Sequence, residues 1–129
     1  MFLSDKHIQN FCEAVSLIPD AIADKGTRRL SSYYGASLFL LAGLDAWPQL
    51  RRFCTGYIDI GGMLNELSLS SGEALVVRLA GNLYNGGFWN GTPLDLVCEL
   101  DGKHSELCLN ALHLRRGRLT FDEERGIRV

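Results

Sequence analysis

The pair of residues most suggestive of chemistry is His104 and Cys108, which lie one helical turn apart on a predicted helix, with Cys98 shortly before them. Imidazole nitrogen and thiolate sulfur are ligands that zinc prefers, but a structural zinc site needs about four of them, usually in close pairs. Only one close pair is present in this sequence. We therefore expect no metal and no other cofactor, with Cys108 in the core and His104 on the surface.

A thiol nucleophile is a second chemical possibility, because a catalytic cysteine and its histidine need not be sequence neighbours. Cys12, Cys98 and Cys108 all lie on apolar stripes, where cysteine usually acts as inert packing. Carboxylates also come in groups, but Glu99 and Asp101 flank a predicted turn, and residues 122–124 form a solvated charge run. Neither group favours acid–base chemistry. An enzyme with an unrecognised site is therefore the third-ranked interpretation.

The glycine-rich segment 86–91 precedes a predicted helix start at Thr92 and Pro93, and a helix start can bind an anion. The segment lacks the lysine of a Walker motif and the strand that precedes a dinucleotide site. Its aromatic residues Phe88 and Trp89 are more informative. They either fold back as a core plug or stand out as interface anchors. An exposed Trp89 would favour binding to a protein partner or self-association.

Arginines occur in adjacent pairs, and a basic patch formed from them would favour nucleic-acid binding. The pairs are Arg28–Arg29, Arg51–Arg52 and Arg115–Arg116, followed by Arg118. A net charge of −2 and a pI of about 5.9 weigh against this interpretation. Arginines near helix ends are also explained by the helix dipole. The predicted contact residues are Phe88, Trp89, Arg51, Arg52, Arg115 and Arg116.

Composition places these residues in a single folded domain, since 47% of the 129 residues are apolar. Phe2 and Leu3 are followed directly by charged residues, so no secretory signal is predicted. The apolar run 38–44 is too short for a membrane span. We expect a cytoplasmic protein with no membrane partner, in which all four cysteines, including Cys54, are reduced.

The longest well-marked element is a helix over residues 70–85. Ser70 and Glu73 have the spacing of a capping box, and Gly86 suits the left-handed residue that ends a helix. Apolar residues recur on one broad face between Leu75 and Tyr84. Gly81 lies inside this helix, at a cost of about 1 kcal/mol relative to alanine.

Shorter helices are predicted around this one. Ser4 caps the first helix, which Pro19 ends. Residues 20–26 form a connection, and Thr27 begins a second helix that runs to about Ala42. We expect this second helix to cross the central helix where Gly35 and Gly81 leave room for close approach.

Three further elements complete the chain. Asp45 caps a short third helix, and Gly61-Gly62 interrupts the chain after it. The last helix covers residues 103–116, and residues 118–129 form a small hairpin or a loose end. The predicted fold is a compact all-α domain over residues 1–117, with five or six short helices around the central one. Residues 118–129 pack on it, and at most one minor β-hairpin or strand pair is present.

Several runs resemble an uncharacterised family of short proteins found mainly in Gram-positive bacteria and their mobile elements. The runs are Leu3–His7, Ala36–Gly43, Leu79–Gly86, Pro93–Leu96 and Asn110–Arg115. Residues 20–29 and those beyond Gly117 depart from that pattern. The resemblance implies no activity and no site residues. The leading hypothesis is a non-enzymatic accessory or protein-interaction protein of a bacterium, phage or mobile element; nucleic-acid binding through clustered arginines is the alternative.

Overall fold

The computed structural model describes residues 1–88, 95 and 100–128. Its helices are α1 (Asp5–Leu17), α2 (Ser32–Ala42), α3 (Trp47–Leu50), α4 (Ile60–Glu66), α5 (Ser71–Asn85) and α6 (Gly102–Arg116). Its strands are β1 (Ile22–Asp24), β2 (Arg29–Leu30), β3 (Leu119–Asp122) and β4 (Gly126–Arg128). The helical core of the predicted fold is confirmed. The antiparallel sheet, in the order β1-β2-β3-β4, is more than the minor hairpin that was expected.

The helix at the centre of the packing is α2. Every residue from Gly35 to Ala42 is buried, because α1, α5 and α6 pack around this helix. A helix that is apolar on all its sides is typical of such a position. The sequence predicted the central helix at residues 70–85. That helix is α5, which packs against α2, and α2 is the central helix.

The ends of α5 are as the sequence predicts. Ser70 Oγ accepts a hydrogen bond from the Glu73 amide at 3.1 Å, and Glu73 Oε1 accepts one from the Ser70 amide at 3.0 Å. Gly86 ends the helix with φ of +82°, a left-handed conformation that glycine adopts without steric cost. Ser4 likewise caps α1 by accepting from the His7 amide. These signals lie within a few residues of each other, so the sequence alone specifies them.

The prediction for Gly35 and Gly81 is wrong in its cause. α2 and α5 do pack together, and Ser37 donates a hydrogen bond to the carbonyl oxygen of Ala80. A Cβ at Gly35, however, would have Leu119 as its nearest neighbour, at 3.3 Å. A Cβ at Gly81 would meet Phe88 at 2.9 Å. Each glycine makes room for a side chain from outside the α2–α5 pair.

The sheet joins two hairpins from opposite ends of the chain. Leu30 in β2 lies opposite Leu119 in β3, and Arg29 lies opposite Thr120. Of the two alternatives for residues 118–129, the structure forms the hairpin, with β3 and β4 paired through Phe121. This pairing buries Leu119 and Phe121 against the helices.

The same pairing corrects the predictions for residues 20–30. Ile22–Asp24 is a strand rather than a connection, and α2 begins at Ser32 rather than near Thr27. Ser31 is its N-cap and accepts a hydrogen bond from the Tyr34 amide. Backbone groups of residues 22, 24, 29 and 30 pair in the sheet, and the carbonyl oxygen of Arg28 accepts from the Phe121 amide, so these groups are not available to a helix.

Two smaller predictions also fail. Ala46, not Asp45, occupies the N-cap position of α3. Gly61 and Gly62 lie inside α4 instead of interrupting the chain, because Asp59 caps the helix by accepting from the Gly62 amide at 3.0 Å. The predicted helix start at residues 92–93 lies outside the described residues. None of the helices in the described ranges combines the length and apolar character that a bilayer crossing requires.

Candidate functional site

His104 and Cys108 both have surroundings typical of residues with a structural role. His104 Nδ1 lies 3.5 Å from Asp101 Oδ2, and Cys108 is fully buried. Cys98 is outside the described residues. Within those residues, no group of three or more histidine, cysteine, aspartate or glutamate side chains is placed to hold a metal ion.

The described thiols are held in the protonated form. Burial raises the pKa of Cys54 and of Cys108 to about 12. The pKa of Cys12 is raised by partial burial and then by the negative charges of Asp122 and Glu123. A nucleophilic cysteine needs the opposite shift, because only the thiolate reacts. These surroundings are those of packing residues.

The acidic residues considered in the sequence have backbone partners. Asp101 accepts a hydrogen bond from the His104 amide at 2.8 Å and so caps α6. Asp122 accepts from the amides of Glu124 and Arg125 in the β3–β4 turn. These bonds favour the ionised carboxylates and lower the pKa of Asp101 and of Asp122. Glu99 is not among the described residues.

His7 is a buried polar residue that the sequence analysis missed. Its Nδ1 accepts from the Leu3 amide at 3.1 Å, and its Nε2 lies 2.7 Å from the carbonyl oxygen of Phe39. The ring packs against Phe2 and Phe39, and burial lowers its pKa to about 4. His7 continues the apolar stripe of Phe11 and Val15 by one turn, and that position was the available signal. With both nitrogens engaged, it is a structural residue.

The predicted contact residue Phe88 is half exposed, with 46% of its surface accessible. Its ring lies against Gly81, so that a Cβ at that position would be only 2.9 Å from it. The φ of Phe88 is +67°. One side of the ring is thus held against α5 while the other faces solvent, between the two alternatives of plug and anchor. Trp89 lies outside the described residues.

Arg51 and Arg52 are held by local neighbours. Arg51 forms an ion pair of 2.9 Å with Glu13 of α1. The guanidinium of Arg52 lies over the ring of Phe53, 4.6 Å from its centroid. Both contacts stabilise the packing around α1 and α3, so neither arginine needs a binding role to account for its position.

Arg115 and Arg116 differ from each other. Arg115 donates to the carbonyl oxygen of Leu83 at 3.0 Å and to Ser32 Oγ at 3.3 Å, and its guanidinium lies 5.2 Å from the centroid of Tyr33. Arg116 is exposed. Arg51 and Arg52 thus contact α1 and Phe53, whereas Arg115 contacts residues of α2 and α5; the single basic patch considered from the sequence stays a prediction.

An apolar cavity of about 480 Å³ lies between the C-terminal half of α1 and the two hairpins. Its apolar walls are Val15, Pro19, Ile22 and Phe121. Cys12 also contributes to the wall. This composition and size are typical of a binding site, which is mostly apolar with a few polar groups at fixed positions.

The rim of the apolar cavity is charged. Three exposed charged residues line the apolar cavity: Lys25, Arg28 and Glu123. Arg28 forms a 3.1 Å ion pair with Glu123, and its guanidinium lies 5.1 Å from the centroid of Phe121. Its φ of +61° is unusual for a residue with a side chain and costs about 1 kcal/mol. Lys25 is thus the rim charge that has no ion pair among the described residues.

A second cavity, of about 320 Å³, lies on the other side of the β1–β2 hairpin. We call it the arginine cavity, because Arg29 and Arg118 both line it, together with Ala23, Ser31, Ser32 and Tyr33. Neighbours in sequence therefore divide between the cavities: Ile22 and Arg28 line the first, Ala23 and Arg29 the second. Alternation of side chains along β1 accounts for the division of Ile22 and Ala23, whereas Arg28 precedes β2 and turns away with its left-handed φ of +61°.

Comparison with known proteins adds no relative: no family model, no curated protein and no solved structure matches this chain. The resemblance to a bacterial family stays a prediction.

Proposed function

We propose that this protein is a non-enzymatic interaction protein, of the accessory kind found in bacteria, phages and mobile elements. Its partner is a protein that inserts an apolar side chain into the apolar cavity. The observation that carries the proposal is the cavity itself, an apolar recess beside a charged rim. Protein interfaces commonly have this arrangement, with an apolar centre and a polar surround.

The chemistry of the described residues supports binding over catalysis. The described thiols are held protonated, and His7 has both ring nitrogens engaged. A catalytic group must instead be free to exchange a proton or attack a substrate.

The charges on the rim indicate which kind of partner fits the apolar cavity. Lys25 supplies a positive charge, while the charge of Arg28 is matched by Glu123. A peptide segment with one large apolar side chain and a nearby carboxylate fits these surroundings. Burying one such side chain stabilises a complex by about 1.5–3 kcal/mol, so the cavity acts as an anchor point within a larger interface.

The proposal is tested by selecting peptides from a random display library on the wild-type protein. Ser16→Trp fills the cavity, because Ser16 lines it from the exposed surface of α1. Gln9→Trp is the matched control, since Gln9 is also exposed and lies two turns earlier on the same helix. We expect selected peptides to share an apolar residue beside an acidic one and to bind wild type and Gln9→Trp equally. Binding to Ser16→Trp should fall by about tenfold or more, the factor that corresponds to about 1.4 kcal/mol.

Two outcomes would contradict the proposal. In the first, no peptide distinguishes Ser16→Trp from Gln9→Trp. In the second, native mass spectrometry finds a small apolar molecule bound to wild type and absent from Ser16→Trp, which would assign the cavity to a small ligand. Phe88→Ala, measured against the same peptides, tests whether the half-exposed ring belongs to the same interface.

A further inference from the structure

We propose that the arginine cavity binds a phosphate group carried by a small molecule. The proposal concerns a different surface from the apolar cavity. It begins from two arginines of the basic patch considered in the sequence, Arg29 and Arg118, which line this cavity together.

The sheet register brings Arg29 and Arg118 to one face. Arg29 lies opposite Thr120 across the β2–β3 pair. Arg118 precedes Thr120 by two residues, and residues two apart on a strand lie on the same face. Both arginines line the cavity, and both are exposed. The two arginines therefore border one recess, Arg29 from β2 and Arg118 from the position directly before β3.

A third arginine adjoins the same recess. Arg115 donates to the hydroxyl of Ser32, which lines the cavity, and lies over the ring of Tyr33, which also lines it. Arginine is suited to phosphate, because its planar group can donate two parallel hydrogen bonds to two oxygens. The hydroxyls of Ser31 and Ser32 are further donors on the wall.

The charge at this surface is not balanced by its lining. Among the described residues that line the arginine cavity there is no carboxylate. The closest acid by register is Asp24, which lies opposite Arg29; its carboxylate accepts from the Gly26 amide at 3.0 Å in the hairpin turn, and the charge of Arg29 adds a smaller lowering of its pKa. The apolar cavity differs in this respect, since Glu123 neutralises Arg28 there.

The size of the cavity favours a small ligand. Its volume of about 320 Å³ is at the lower end of the range of small-molecule sites, roughly 300–1,000 Å³. Tyr33 is 47% exposed at its edge and can contact an adjoining part of such a ligand. A phosphate monoester is the chemistry that we infer.

The experiment is a calorimetric titration of the wild-type protein with adenosine 5′-monophosphate, inorganic phosphate and adenosine. Binding of either phosphate compound, with none of adenosine, supports the proposal, and comparing the two shows how much the ester adds. Arg29→Gln and Arg118→Gln should each weaken binding by about tenfold or more, the effect of losing a charged hydrogen bond. Arg125→Gln is the matched control, because Arg125 is an exposed arginine on the β3–β4 turn. It should change the affinity less than twofold.

Further measurements keep the test decisive. Thermal unfolding of each variant should match wild type, since exposed surface substitutions usually change stability by about 0.5 kcal/mol or less. Ser16→Trp should bind phosphate normally, because it fills only the apolar cavity. Equal weakening by Arg29→Gln and Arg125→Gln would overturn the proposal, as would no binding of either phosphate compound. Tight binding of a single-stranded oligonucleotide with a steep salt dependence, without binding of the small phosphates, would also overturn it in favour of nucleic acid.

Discussion

The two cavities on either side of the β1–β2 hairpin are made from neighbouring residues and yet differ in chemistry. The apolar cavity has Arg28, whose charge is matched by Glu123 and whose side chain covers Phe121. The arginine cavity has Arg29 and Arg118, with no carboxylate in its described lining. An Arg-Arg pair in sequence is therefore not a unit of function. Arg28 lies in the left-handed turn before β2 and pairs with Glu123, whereas Arg29 lies in β2 and lines the arginine cavity.

Leu119→Ala should have the largest effect, because both cavities depend on the position of β3. Leu119 is buried, lies opposite Leu30 and would contact any side chain placed at Gly35. Its truncation should lower the free energy of unfolding by about 2–5 kcal/mol. Urea unfolding followed by tryptophan fluorescence measures this. Thr120→Ala, one residue along the same strand, is the control, and an equal loss in the two variants would show that β3 is not anchored by Leu119.

Acid should lower the stability of the whole fold through His7, which is buried in the core. Because His7 lines neither cavity, the effect should not favour one cavity over the other. In the folded protein its pKa is about 4, against about 6.5 when unfolded, so the unfolded state binds the proton first. Its contribution is present above pH 6.5 and is lost as the pH falls toward 4. The expected loss reaches about 3 kcal/mol, at about 1.4 kcal/mol for each pH unit.

The measurement is urea unfolding at several pH values between 7 and 4, with His7→Gln as the comparison. Glutamine can accept and donate hydrogen bonds but does not titrate, so this variant should show a flat profile in that window. The pKa values of Asp24, Asp101 and Asp122 are lowered by their hydrogen bonds, so the stability that these carboxylates add is fully present above pH 3.8 and is lost only as the pH falls below it, outside this window. A wild-type profile as flat as that of His7→Gln would refute the assignment.

Cys12 offers a reporter confined to the apolar cavity. Glu123→Gln should speed its alkylation at pH 8 by about two- to fivefold, the effect of removing one partly exposed charge near a thiol. The substitution also frees Arg28 to favour the thiolate, so both changes act in the same direction. Intact-mass spectrometry with peptide mapping follows the reaction. Glu124→Gln removes the same charge one residue away, and an equal acceleration there would mean that the effect is not local to the cavity.

The smallest effect concerns the backbone of Arg28, where the two faces of the hairpin diverge. Arg28→Gly relieves the left-handed strain but loses an exposed ion pair and the contact with Phe121, so its net effect on unfolding should be under about 1 kcal/mol. Arg28→Ala loses the same contacts and keeps the strain. We expect the glycine variant to be about 1 kcal/mol more stable than the alanine variant by urea unfolding. The reverse order would show that the φ of +61° carries no strain.

Local signals in the sequence predicted the parts of the fold that local interactions determine. The Ser70–Glu73 capping box and the helix end at Gly86 are such cases, since all partners lie within one turn. The β3–β4 hairpin was one of two predicted alternatives, but β1 and β2 were missed because β2 contains two residues and pairs with β3, about 90 residues further along the chain. A period of two cannot be recognised over so short a segment.

The candidate sites were harder to predict for the same reason. Nothing near Arg29 in the sequence indicates that Arg118 will lie on the same face, because only the β2–β3 register brings them together. Phe88 was noted from its surroundings in the sequence, but its contact with Gly81 depends on how the chain turns after α5. His7 could have been found, since it falls on the stripe that includes Phe11.

The pairing of β2 with β3 also sets an order of events during synthesis. Residues 1–88 leave the ribosome well before Leu119, so α1, α2 and α5 can pack while Leu30 still has no strand to pair with. Closing a loop between such distant segments is slow compared with forming helices. We therefore expect both cavities to be completed last, and pulse-labelled hydrogen exchange should show the amides of residues 28–31 gaining protection after those of α2. Until residues 118–128 are made, the protein has a helical core and neither of its proposed binding surfaces.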